Sequence, residues 1–377
     1  EELVSSTITN NISMANTFSN NILLIDPNNQ EALFFNFVNY LINNNDNKVY
    51  RYFSEKKNIN NDFLNYIFLD KNNLKSKNEI SSSFVEIVKS SYSSSISKSQ
   101  HDYNNLLYYT SLAIMMNSEN YEALFIKAQL FQLVEKFLEA EILYKKIPSS
   151  SEYYLDAQNN IAYNFANYLN FNDSENKIKN LIHSIDNNFY IKKILADFYR
   201  TEKKYNLAIK IYDELIFTNS NELSNLYYLR GICYEQQDDW FNAEKDFLKS
   251  LELKPDSPNV LNYLAYGWIE KNINIDKSFL MLEKAYEKNP DSYYILDSLA
   301  WAYYKKNNFE KAANLMEKVI DMAPGEAISL DHLGDIYFSM NRKREAVYFW
   351  KQAKDLAEPE DKITEKINIK LRDANAG

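Results

Sequence analysis

Chemistry needs a nucleophile, a proton carrier or a metal ligand, and this 377-residue chain has few of them: three His and one Cys. A lone cysteine, Cys233, excludes an intrachain disulfide and any zinc site built from paired cysteines. It stands just before Tyr234, where a small buried residue is expected. His332 alone has acidic company. It follows Asp331, and Asp335 comes three residues later, so His332 and Asp335 can share a helix face as a weak metal or acid/base pair. Two ligands on one helix do not make a site, so local hydrogen bonding is the expected role. His101 and His183 are isolated. No phosphate loop, nucleophile–base motif or paired catalytic carboxylate spacing occurs. The chain therefore reads as a non-enzyme with no cofactor and no metal.

The composition points to helices that hold such side chains. Thirty Tyr and 22 Phe stand against five Gly and seven Pro. A doubly wound sheet with phosphate loops needs far more glycine for tight turns and close backbone approach. The formal net charge of −10 argues against a nucleic-acid partner, which calls for a basic stripe. The one basic cluster, Arg342-Lys343-Arg344 with Lys351 and Lys354, reads as a solvated loop and helix face. No run approaches the ~18 apolar residues of a transmembrane segment. The abundant Asn follows A/T-rich codon usage and is discounted as a functional signal. The chain opens Glu1-Glu2-Leu3-Val4 without Met, so an upstream segment, a signal peptide or a longer helix, is expected.

The chain repeats. The segments LRGICYEQQDDWFNAEKDF, LAYGWIEKNINIDKSFLML, LAWAYYKKNNFEKAANLM and LGDIYFSMNRKREAVYFW share one skeleton. A small residue recurs at Ala128, Ala162, Ala196, Gly231, Ala265, Ala300 and Gly334, in steps of 34 or 35. Three residues after each comes an aromatic: Phe131, Phe165, Tyr199, Tyr234, Trp268, Tyr303 and Tyr337. A second small position holds Ala140, Ser174, Ala208, Ala243, Ser278, Ala312 and Ala346, and a large residue follows at Tyr144, Ile178, Tyr212, Phe247, Leu282, Met316 and Trp350. Two helices of about 12–14 residues fit each tile, crossing where only Ala, Gly or Ser lets the backbones approach. Pro255, Pro290 and Pro324 stop the second helix of three tiles, and Pro359 falls one residue late.

This skeleton resembles the tetratricopeptide repeat. The fold it implies is all-α: a right-handed α-solenoid of stacked antiparallel helix pairs. Residues 121–359 are expected to form seven regular repeats. Residues 1–57 read as degenerate repeat-like helices, since Met14, Ala15, Phe18, Ile22 and Ile25 have helical spacing before Asp26-Pro27 and the next helix runs from Ala32 to Tyr40. Residues 58–120 read as an irregular helical region containing a Ser-rich loop, SSYSSSISKS at 90–99. Residues 360–377 read as a capping helix and tail, with Ile363, Ile367 and Leu371 as its apolar stripe. The run LNYLAYGWIEKN through DHLGDIYFSMNRKREAVYFWKQA looks like bacterial proteins of alphaproteobacterial type. That resemblance implies an exported or periplasmic location, with the cytoplasm as the alternative.

The resemblance also implies which side chains line the concave groove of the superhelix. They are Tyr190, Lys193, Asp197 and Arg200; Asn225, Tyr228, Ile232 and Glu235; Asn259, Asn262, Tyr263 and Tyr266; Tyr294, Asp297, Ser298 and Trp301; and Asp331, His332, Asp335 and Phe338. Tyr and Trp offer contact area at low entropy cost, and Asn can bridge to the backbone of an extended peptide. Asp297, Asp331 and Asp335 stand where repeats that clamp a C-terminal carboxylate carry Lys and Arg, so a neutral to basic protein or peptide is the expected partner. The leading function is a non-enzymatic binding scaffold. The alternative is a structural subunit of a larger assembly, possibly of the cell envelope, held by convex or edge surfaces. A third reading, an enzyme, would require an unseen cofactor domain.

Overall fold

A computed structural model describes residues 2–9, 11–43, 68–70, 73–93, 100–186, 188–218, 222–358 and 363–376. Among them are 20 helices and one two-stranded hairpin, β1 (Phe68–Asp70) with β2 (Asn73–Leu74). The fold is all-α, as expected. The chain divides into two compact units, residues 1–195 and 196–377.

The first unit begins with α1 (Glu2–Ile8), α2 (Ile12–Ile25) and α3 (Gln30–Ile42), then α4 (Lys77–Ser93) and α5 (Gln100–Met116). These five share one core, where Leu3, Ala15, Phe35, Phe84, Tyr108 and Leu112 meet. The expected boundary at residue 57 is therefore bridged by packing. Residues 77–93, inside the stretch read as an irregular helical region, form one helix because Ile80, Phe84, Val85 and Val88 bury one stripe. The Ser-rich run contributes its first residues to that helix, and residues 94–99 lie outside the described residues. Ile25, counted in the apolar stripe of α2, is exposed. Next come α6 (Tyr121–Leu133), α7 (Phe137–Tyr144), α8 (Tyr154–Tyr168) and α9 (Phe171–Ser184), and α10 (Phe189–Thr201) runs across the division.

The second unit continues with α11 (Tyr205–Phe217), α12 (Leu223–Gln236), α13 (Trp240–Leu253), α14 (Pro258–Glu270), α15 (Ile275–Lys288), α16 (Tyr293–Lys305), α17 (Phe309–Met322), α18 (Ala327–Ser339), α19 (Lys343–Leu356) and α20 (Thr364–Ala376). Each helix packs on its successor, and α14, α16 and α18 also touch in series. The small positions work by steric fit. A Cβ added at Gly231 would lie 2.7 Å from the Phe247 ring, and one at Gly334 would lie 2.4 Å from the Trp350 ring. Helices α13, α15 and α17 end two residues before Pro255, Pro290 and Pro324. Pro359 lies outside the described residues.

Each turn inside a pair leans on the repeat aromatic. The carbonyls of Phe131, Tyr199, Tyr234, Trp268, Tyr303 and Tyr337 accept the N–H of the residue five positions on, at 2.7–2.9 Å. The residue just before that donor adopts the left-handed conformation: Glu135, Lys203, Asp238, Asn272, Asn307 and Asn341, with φ from 55° to 62°. This is the Schellman closure that glycine ordinarily serves. Here six such turns use no glycine at all, so the low glycine count reflects which residues fill the turns rather than a shortage of turns. Asn also earns a structural role: Asn11, Asn29, Asn120, Asn170 and Asn308 cap helix N-termini through their side chains.

The pair α8–α9 closes differently. The Phe165 carbonyl accepts from the Ser174 hydroxyl at 2.7 Å, and Asn170 O accepts from it at 2.9 Å. Ser278 occupies the same repeat position in the second unit, and its buried hydroxyl meets no partner. Opposite outcomes follow for one substitution. Ser174→Ala should cost about 1–2 kcal/mol, because a buried carbonyl loses its donor, whereas Ser278→Ala should gain about 1 kcal/mol. Urea unfolding of both variants checks this; the same sign for both would refute it.

Candidate functional site

The expected groove residues separate into three groups, and the first is spent within the fold. On α16 and α18, Asp297, Trp301, Asp331 and His332 are all buried. The Trp301 ring stacks on His332 at 4.0 Å and on Tyr304 at 4.5 Å, each at 15°. The indole Nε1 of Trp301 donates to Glu270 at 2.6 Å. His332 Nδ1 faces the Asp297 carboxylate at 3.1–3.2 Å, so its partner is Asp297, one repeat away, and not Asp335 on its own helix. Lys370 on α20 donates to both oxygens of Asp331 and to Asp335, each at 2.8 Å. The three carboxylates that favoured a basic ligand are thus answered from within the chain. Phe338, at the same end, is exposed.

The buried imidazole links stability to pH. Burial is the largest influence on His332 and pulls its pKa down. Asp297, by charge and hydrogen bond, with Asp331 and Asp335, outweighs it and holds the imidazole above its ordinary value. A base whose pKa rises on folding adds stability that is full below the unfolded value, ~6.5, and is lost as pH climbs through the folded value. Thermal melts of the second unit should fall across that window, and Asp297→Asn should flatten the decline. A wild-type profile without a slope there would count against the pairing.

The second group forms an open pocket of about 600 Å³ within the second unit. Helix α12 brings Tyr228 and Glu235, α13 brings Trp240, and α14 brings Asn262, Tyr263, Tyr266 and Gly267. Helix α16 adds Tyr293, Tyr294, Asp297 and Ser298, and Glu326, Ile328 and Ser329 close the far side at α18. The rings brace one another: Tyr228 and Tyr263 meet edge to face at 5.5 Å, and Tyr293 and Tyr294 at 5.7 Å. Tyr294 donates to Asn259 at 3.0 Å, and Tyr293 to Glu326 at 3.1 Å. Burial raises the phenols of Tyr228, Tyr263 and Tyr266, so they stay neutral donors at physiological pH. Asn262 is 6% exposed, and among the described residues its buried Oδ1 has no donor and the buried Trp240 Nε1 no acceptor.

The remaining expected residues sit elsewhere. Tyr190 is exposed and Lys193 half-buried in the first unit. Asp197 accepts from Tyr212 at 2.6 Å and faces Arg200 at 3.7 Å. Asn225 and Asn259 are exposed, and Ile232 is half-buried.

The helix pairs and their pocket can now be set beside known proteins. A sequence model of the tetratricopeptide repeat matches residues 294–323, the stretch from Tyr294 through α17. Residues 294–323 of this chain carry a tetratricopeptide repeat (TPR), and the helix pairs around them have the TPR fold. A TPR repeat-containing protein of Pseudomonas aeruginosa is 31% identical over 88 residues. That match spans 23% of this chain and 15% of the relative's length. The crystal structure of a tetratricopeptide repeat protein from Parabacteroides merdae superposes with a TM-score of 0.50 at 21% identity, covering 67% of this chain and 98% of that one. These matches carry the repeat family and not the narrower bacterial lineage. Among the described residues, no helix is long and apolar enough to cross a membrane.

Two positions within the helices matter in ways their sequence does not announce. Lys127, near the first small position Ala128, is buried, and its Nζ donates to Ile8 O at 3.0 Å and Ser111 at 2.8 Å. Burial lowers that amine to about 8. Gly267 is the floor of the pocket: a Cβ there would stand 2.0 Å from the Trp240 ring. The only hint was its rarity, as one of five glycines. Cys233 is buried, and its thiol is raised to about 12 by burial, so it stays protonated and inert at neutral pH.

Proposed function

We propose that this TPR protein is a non-enzymatic scaffold that binds an extended segment of a partner protein, and that the tyrosine-lined pocket of the second unit is the anchor point. The observation that carries this reading is the set of mutually braced tyrosine rings that lines the pocket, Tyr228 on Tyr263 and Tyr293 on Tyr294. The braced rings of Tyr228, Tyr263 and Tyr294 supply apolar area at low ordering cost, the trait of binding hot spots. Of the groove residues read from sequence, Tyr228, Asn262, Tyr263, Tyr266 and Tyr294 are the ones we assign to the partner. Trp301, Asp331, His332 and Asp335 we assign to holding the C-terminal repeats together.

Photocrosslinking tests this. A benzophenone placed at Tyr294 should capture a partner from the native host, and capture should drop at least tenfold in Tyr263→Ala. Capture that ignores Tyr263 would sink the proposal. A second reading rests on Phe241 and Leu280, which leave large apolar side chains exposed on the second helices α13 and α15. Under that reading the chain is a subunit of a larger assembly gripped from the convex side. Crosslinked complexes would then survive pocket substitutions and dissolve in Phe241→Ser with Leu280→Ser.

A further inference from the structure

We propose that the pocket of the second unit takes the guanidinium of an arginine side chain carried on the extended partner segment, an inference that rests on the binding role proposed above. Its lining holds three carboxylates, Glu235, Asp297 and Glu326, and no Lys, Arg or His. Asp297 is committed to His332. Among the described residues, Glu235 accepts only the neutral amide of Gln236, at 2.8 Å, and Glu326 only the Tyr293 hydroxyl. Glu235 is half-buried and Glu326 exposed, so these two carboxylates border the aromatic cavity without an ion pair of their own. The nearest cation on α10, Arg200, is paired with Asp197.

The walls suit a flat cation. Tyrosine faces carry negative potential and attract a guanidinium laid against them. The fold already uses this chemistry at the pocket's edge, where the Lys271 ammonium lies 5.2 Å from the centre of the Trp240 ring. The carboxylates select further. They take hydrogen bonds, which quaternary ammonium groups cannot give, and an arginine fork offers N–H groups in the plane that stacks on the rings. Arginine meets both features, carboxylate and ring face, with one rigid group. Lysine has donors but no plane to stack.

The test uses the whole chain and an array of random octapeptides, followed by arrays in which each Arg of a bound peptide is replaced by Lys, citrulline or Ala. Bound octapeptides should be enriched in Arg. Citrulline, which keeps the shape and loses the charge, should weaken binding at least tenfold, and Lys should weaken it about threefold or more. Glu235→Gln, nearly isosteric, should erase most of the Arg preference while leaving the melting temperature unchanged. Peptides that bind in a Tyr263-dependent way yet tolerate citrulline would overturn the arginine assignment and leave the groove reading standing. An array with no Tyr263-dependent binder would overturn both.

Discussion

Lys370→Ala should release the C-terminal helix and lower the stability of the second unit by about 2–3 kcal/mol. Lys370 is the one cation that α20 sends to α18, and it meets both Asp331 oxygens and Asp335. Asp331 is buried, and burial, countered chiefly by Lys370, holds its carboxyl above the usual range. Removing the lysine strands two carboxylates at a helix interface, and losing one partner of a buried ion pair is costly because the survivor stays desolvated. Partial exposure of Lys370 and Asp335 keeps the figure below that of a fully buried pair. Ile363 and Ile367, buried against the last repeat, should then exchange with solvent.

Hydrogen–deuterium exchange over residues 363–376 is the direct measurement: protection should collapse in the variant. Without Lys370, the Asp331 carboxyl rises further. The folded state then takes up a proton more readily than the unfolded one, and the deficit should narrow as pH falls through that raised value. Neutralising Asp331→Asn and Asp335→Asn in the Lys370→Met background should recover part of the loss. Unaltered exchange in Lys370→Ala would show that α20 is held by its apolar stripe alone. Charge reversal at Asp331 and Asp335 thus reads out the anchoring of this helix before it reads out any ligand.

Gly334→Val should cost about 3 kcal/mol or more. Even the first carbon of a side chain there would lie 2.4 Å from Trp350 Cδ1 and 3.0 Å from Cγ, the root of the indole rather than its flexible far end. Trp350 cannot swing away cheaply, since it is buried and its Nε1 donates to Asp335 at 2.9 Å. Overpacking of that kind forces strained rotamers or backbone shifts. Trp350→Ala should itself cost about 3–5 kcal/mol by opening a cavity. Because valine partly fills that cavity, the double variant should lose clearly less than the sum, with a coupling above about 1 kcal/mol in urea unfolding. Additive losses would mean that the two positions do not share one packing site.

That coupling also explains what was legible in the sequence. The crossing rule acts at fixed chain separations inside one helix pair, so Gly334 with Trp350 and Gly231 with Phe247 show as a period. The aromatic three residues after each small position was visible too, though its reason was only half visible. Besides filling space, its carbonyl closes the turn, a backbone role that side-chain patterns do not record. Polar partnerships were far less legible. His332 reaches Asp297 at a separation of 35 residues, and Lys370 reaches Asp331 at 39. A repeat offers several acidic candidates at such distances, and spacing alone does not say which way a side chain turns.

The sequence by itself determined the all-α repeat, its register, the residues small enough for the crossings and the stripe of the last helix. These follow from sterics and periodicity, which are local. Only the tertiary structure decided which of the expected groove residues are committed inside the fold and which line an open pocket. Trp301, His332, Asp331 and Asp335 have the same composition as a recognition surface, but stacking, burial and the reach of Lys370 consume them. The tyrosines around Asn262 line an open cavity instead, because the helices there converge without filling the space between them.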